Sequence, residues 1–269
     1  MPFTFSHPAA ALPLARWLRL SPSALFVGSL SPDFIYFLQL RASGEFGHTL
    51  PGLFLFCLPL SLLVLWLWHR VVKGPAVALL PAWAARRAAQ AAAEPYPFGP
   101  GRRMLAVCTA VLVGAVTHDV WDAFTHQDGW VALHWPVLLR ELPFPGFGTM
   151  PVYKLGQLGS TAVGGLLLAW WSWRWLRRQP PAPTAPALAG RIGWLATLLI
   201  GAAVLAVSYA RWVAPPLESY LALRLFVLSI IVAFCSALWV GLLLFGWWYQ
   251  QKAGPTGPAL VRNSAAEQA

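Results

Sequence analysis

Apolar residues run almost unbroken through five stretches of the chain, roughly 51–69, 104–125, 155–176, 192–213 and 222–248. Each approaches the ~20 helical residues that cross a bilayer hydrocarbon core, so the pattern predicts five transmembrane helices. The runs are rich in Leu, Val, Ala and Trp, and tryptophans crowd their ends, as in WWSWRW (Trp170–Trp175) and GWWYQ (Gly246–Gln250). That placement suits an aromatic belt at a membrane interface. Residues 1–50 are patterned differently, with apolar stretches at 8–18 and 22–40 and three Ser-before-Pro helix starts, at Ser6-His7-Pro8, Ser21-Pro22 and Ser31-Pro32. Ser at the cap and Pro in the first turn mark helix N-termini. Two readings stay open. Either 22–40 spans, or 8–20 and 22–33 form a helical hairpin that dips in from outside and returns, which is preferred. At 1.5 Å per residue the two arms match within about one turn, setting His7 and Asp33 at one level.

The expected fold is therefore all-α, a polytopic transmembrane bundle of about five spans plus an N-terminal helical hairpin. A single membrane domain is expected over 1–250, divided into the hairpin (1–50), site-bearing spans (51–126) and three C-terminal spans (155–248), followed by a disordered cytoplasmic tail over 251–269. Composition agrees: 58% of residues are hydrophobic and only 10% charged, too little polar surface for a soluble domain of this size. The formal net charge of +10 would suit nucleic acid, but the basic residues cluster beside the apolar runs. That is the pattern of juxtamembrane anchoring, so the expected partner is the lipid bilayer and no nucleic acid. Cys57, Cys108 and Cys235 each lie in an apolar run without metal spacing.

Loop charge orients the spans. Arg70, Lys73, Arg86, Arg87, Arg102 and Arg103 lie between the first two runs, and Arg177, Arg178 and Arg191 between the third and fourth, against the single acid Glu94. The loop 126–154 balances Arg140 and Lys154 with Asp128 and Glu141. Positive-inside counting puts the first two loops in the cytoplasm, the loop 126–154 outside and the C-terminus in the cytoplasm.

The second run ends in GAVTHDVWDAFTHQDG (Gly114–Gly129), which holds His118, Asp119, Asp122 and His126. His118 and Asp122 are four residues apart and share a helix face; Asp119 sits aside from it. A charge at mid-membrane costs roughly 2.5–3.5 kcal/mol on insertion scales, and a bound cation offsets that cost. An imidazole and a carboxylate at this spacing point at one place, as a zinc-like ion requires. His7, Asp33 and His48 fall on the same side of the membrane in the expected topology and complete a candidate divalent-metal site of His7, Asp33, His48, His118 and Asp122. Asp119 is a candidate partner orienting an imidazole, and Asp33 a candidate base. Each residue alone has a plainer reading: Asp33 at a helix N-terminus, His7 and His48 as cap or interface residues, His118 and Asp122 as an interhelical polar contact. His126 and Asp128 read as a solvated loop start, His69 as an interface residue, and His134 as external.

MPFTFSHPAA, GSLSPDF, FGHTLPGLFLFCLP and THDVWDAFTH resemble an uncharacterised family of bacterial integral membrane proteins, a domain of unknown function. More distantly, the order His…Pro-Asp…Gly-His…His-x-x-x-Asp is similar to inner-membrane metal-dependent hydrolases and to the HxxxD helix of zinc-dependent phospholipases C. The resemblance implicates His7, Asp33, His48, His118 and Asp122. Where the hydrolases carry an Arg-Gly-x-Thr-His run, this chain has Thr49-Leu50-Pro51-Gly52 after His48, so a second histidine is absent there. The function these features imply is a metal-dependent hydrolase at the extracytoplasmic boundary of the bacterial inner membrane. Zinc is the expected cofactor, and a lipid-linked ester or phosphoester the expected substrate. The alternative is a non-enzymatic scaffold or binding protein whose His/Asp cluster is structural. A transport path fits less well, because the last three runs carry almost no polar residues beyond Ser and Thr.

Overall fold

A computed structural model describes residues 4–41, 43–96, 98–144, 148–186, 188–216 and 218–253. The tail expected to be disordered lies, from 254 onward, outside the described residues. Four helices are long and apolar enough to cross a membrane: Leu50–Leu79, Arg102–His134, Arg191–Val213 and Tyr220–Lys252. They coincide with four of the five predicted spans. The remaining run forms a helix, Val152–Arg178, of 27 residues. It is long enough but less apolar, because Lys154, Gln157, Ser160, Thr161 and four glycines dilute its Leu and Trp.

Two further differences from the expected fold concern short segments. Inside the loop 126–154, Glu141–Phe144 pairs antiparallel with Gly148–Pro151, in the register Leu142↔Met150. At the N-terminus the chain makes short helices rather than long arms. Pro8–Ala11, Leu14–Trp17, Pro22–Gly28 and Phe34–Gln39 are separated by turns and a 3₁₀ stretch at Ser31–Asp33. None is long enough to cross a bilayer, so 22–40 is not one continuous span. The ladder breaks where Pro32, which has no N–H, cannot bond the Gly28 carbonyl; Ser31 Oγ donates to Gly28 O instead (2.7 Å), and Ser29 Oγ to Phe26 O (2.9 Å).

The described residues form two compact units interleaved along the sequence. One comprises Met1–Phe34, Glu45–Leu65 and Phe98–Arg174; the other comprises Ile35–Gly44, Trp66–Pro97 and residues from Trp175 on. In the second unit, Arg191–Val213 packs along Tyr220–Ala253. A π turn at Trp68–Val72 precedes Pro75, which has no N–H to give the Val71 carbonyl. Gln250 Nε2 donates instead to Arg70 O (2.8 Å) and Val71 O (3.2 Å). A neighbouring helix thus satisfies backbone carbonyls beside the proline. Gln250→Leu is expected to destabilise the protein by about 1 kcal/mol, read as a lower midpoint of unfolding in detergent.

In the first unit the core is a close crossing of Pro22–Gly28 on the Arg102–Thr125 helix. A Cβ on Gly28 would lie 2.2 Å from Val111 O, and one on Gly114 would lie 2.5 Å from Leu25 O. Only glycine on both sides allows backbone to touch backbone here. Gly114 and His118 share a face one turn apart, so the same crossing delivers His118 against the end of the short helix.

Candidate metal centre

His118 is fully buried, and its Nδ1 lies 2.8 Å from Ser29 O. A carbonyl can only accept, so Nδ1 carries the proton and Nε2 presents a lone pair inward. Asp122, one turn on, places Oδ2 3.3 Å from that Nε2. Asp122 Oδ1 lies 3.5 Å from His7 Nε2. The His7 and His118 rings stack at 3.8 Å between centroids. Two imidazolium ions would repel at that distance, so at least one ring is neutral.

Asp33 reaches the same point from the 3₁₀ turn. Thr4 Oγ1 donates to its Oδ2 (2.6 Å), leaving Oδ1 3.4 Å from His48 Nε2 and 3.7 Å from His118 Nε2. His48 precedes the Leu50–Leu79 helix, and its neighbour Gly47 packs on the Pro32 carbonyl, where a Cβ would come within 2.2 Å. On its far side, His48 Nδ1 meets Asp119 Oδ1 at 2.9 Å. Two triplets, His7–His118–Asp122 and Asp33–His48–His118, therefore share His118, each with its donor atoms within 4.8 Å of one another.

Electrostatics follow from burial and pairing. Burial pushes His7 down, His118 adds to that, and the nearby carboxylates only partly oppose it, leaving His7 at about 3. Burial also works against a charged His48, but hydrogen bonds to Asp119 and Asp33 outweigh it and raise His48 to about 10. Burial pushes Asp33 up, and the His48 hydrogen bond, His118 and Thr4 together bring it down to about 2. The deep side of the cluster is less well satisfied. His7 Nδ1 and Nε2, His118 Nε2 and Asp122 Oδ1 are buried with no hydrogen-bond partner among the described residues. Access lies on the other side, where the His48 and Asp119 side chains are 25% and 26% exposed.

All six sequence-predicted site residues thus come together. His134 does not join them; it stacks on Trp130 and faces its own helix turn. His126, expected in a solvated loop, turns back instead, with Nδ1 3.5 Å from Asp122 Oδ1. The reason is Gln157, a buried residue of the Val152–Arg178 helix that the pattern of the sequence does not single out. Its Nε2 donates to Thr125 O (3.2 Å) and approaches His126 Nε2 (3.5 Å), while Lys154 Nζ donates to its Oε1. An amide at the start of an apolar run is the one signal of it.

Apolar helices of spanning length and a buried imidazole–carboxylate cluster together define a helical membrane protein with a candidate metal site. The chain belongs to the DUF4184 family, a domain of unknown function, which it matches over residues 1–247. No curated protein and no solved structure matches it.

Proposed function

We propose that the protein is a metal-dependent hydrolase of the bacterial inner membrane, cleaving a lipid-linked ester or phosphoester at the extracytoplasmic boundary. One observation carries the reading. The contacts among His7, His118, Asp122, Asp33 and His48 fall at 3.3–3.7 Å, mostly too long for good hydrogen bonds. Two ligands held tetrahedrally at 2.0–2.1 Å from zinc stand about 3.4 Å apart. The outward nitrogens of His118 and His48 are bound to a carbonyl and a carboxylate, the support that fixes metal-ligating imidazoles elsewhere.

His118 has only Nε2 to offer, so both triplets draw on one nitrogen and the reading takes one ion per chain. His7, His118 and Asp122 would hold it, which accounts for the unpartnered His7 Nε2, His118 Nε2 and Asp122 Oδ1. A zinc-like ion held there would supply Lewis acidity and bring the pKa of a water toward neutrality. Asp33 Oδ1 accepts the proton of the attacking water, and His48, fixed by Asp119, returns one to the leaving oxygen. The orientation is that of the loop charges, with the C-terminus cytoplasmic and Val152–Arg178 as a fifth span; its 27 residues reach about 40 Å.

Asp119→Asn is expected to lower turnover about 100-fold while leaving metal affinity and fold unchanged, because it loosens the His48 ring that serves as the acid and spares the ion's own ligands; a metal titration in detergent beside the phospholipid assay checks it. For the enzymatic step, chelated and zinc-restored protein is compared on phospholipid, with release of fatty acid and of phosphorylated headgroup followed. Turnover restored by zinc is the expected result. A zinc-loaded protein that releases neither from any phospholipid class would leave a cation-binding scaffold.

A further inference from the structure

We infer that the site receives its substrate along one acyl chain, held in a groove that ends at His7; this rests on the proposed lipid hydrolysis. A cavity of about 190 Å³ lies between the N-terminal segment and the Arg102–Thr125 and Val152–Arg178 helices, lined by His7, Ala9, Ala10, Trp121, Val163 and Leu167. At its inner end the His7 side chain is 1% exposed, with both ring nitrogens unpartnered and Nε2 turned to Asp122. Its outer walls are open: Val163, Trp121 and Leu167 are exposed. They stand on long helices rich in apolar residues, so the groove joins the surface that faces lipid tails. Gly164 sets the width, its helix approaching so closely that a Cβ would stand 2.9 Å from Ser6 O.

The shape selects the ligand. Pockets for drug-sized ligands run to roughly 300–1,000 Å³, and this one is smaller and narrow. It fits a stretch of unbranched hydrocarbon better than a polyprenyl chain with its regular methyl branches. The groove is apolar except at His7 and the adjacent serine hydroxyls. A chain lying in it therefore loses no polar contact and carries the ester at its head to the imidazole–carboxylate cluster. The groove thus binds a single phospholipid acyl chain with its ester end inward.

The test uses delipidated, detergent-purified full chain and a phosphatidylglycerol with a diazirine near the end of one acyl chain. Photolabelling is expected to saturate at one lipid per protein and to fall on the peptides carrying Trp121 and Val163–Leu167. Unlabelled phosphatidylglycerol should compete. Ala10→Trp and Val163→Trp, both at exposed positions, should each cut the label at least tenfold while leaving bound metal unchanged. Label scattered over all apolar helices, label unaffected by both variants, or competition by a polyprenyl phosphate but not by phospholipid would each overturn the groove. Metal content separates the two ideas. Absence of a saturable groove label on protein that retains its metal sinks this inference alone, whereas a saturable groove label on protein that binds no metal sinks the hydrolase reading alone.

Discussion

Alanine at both His118 and Asp122 is expected to strip the purified protein of its metal, from about one ion per chain to none. His118 contributes the one nitrogen common to both triplets, and Asp122 contributes oxygens to His118 and His7 on either side. Without them both triplets are broken, since each contains His118. Removing two of three ligands takes most of a binding free energy that reaches roughly 10–16 kcal/mol for structural zinc at neutral pH. Fold should survive, because the crossing that positions this helix rests on Gly114 and Gly28, not on the ligands. Elemental analysis of the folded variant, beside the parent protein, reads the result. Full metal content in the double variant would mean that any bound ion sits elsewhere.

The second large effect is structural. Gly114→Val should destabilise the protein by about 3 kcal/mol or more and abolish the site with it. Its side chain would be driven into Leu25 O and Ser29 N, 2.5 and 2.8 Å from the new Cβ, and both are backbone atoms that no rotamer change can move. Ser29 is also the residue whose carbonyl fixes His118, so separating the helices by an ångström frees the imidazole. Lowered thermal stability in detergent together with metal loss is the expected pair of outcomes. A variant as stable as the parent would show that the two backbones do not meet there. Ser236, by contrast, donates to Phe37 O and Val232 O within the other unit, so its replacement should leave metal content untouched.

Much of the site is legible in the amino-acid sequence alone. His118 and Asp122 share a face because helical periodicity requires it, and the cost of burying them demands a partner. His48 follows from its place just ahead of the first span, whereas His7 and Asp33 follow from the hairpin reading that sets them at one level. Asp119 is also readable, as an acid a third of a turn off the ligand face, and it does meet His48. His126 is not readable, because the helix ends at Thr125 and sequence gives no reason for the next residue to fold back. The reason is Gln157, 31 residues on and hidden in an apolar run. The Glu141–Phe144 and Gly148–Pro151 pair is missed for a related cause. Each strand carries a proline, a residue suited to edges and turns, so short-range pattern reads as loop. The run 155–176 is less apolar than the other four, because tryptophan lends it bulk and aromatic character without making it strongly hydrophobic.

The central claim is that one cation sits among these imidazoles and carboxylates. Zinc K-edge X-ray absorption on the full chain, loaded with one zinc per protein, tests it most directly. A shell of nitrogen and oxygen at about 2.0–2.1 Å with the multiple-scattering signature of two imidazoles is the expected spectrum. A shell of water oxygens alone, sulfur at about 2.3 Å from a cysteine, or protein that will not retain zinc would contradict the account.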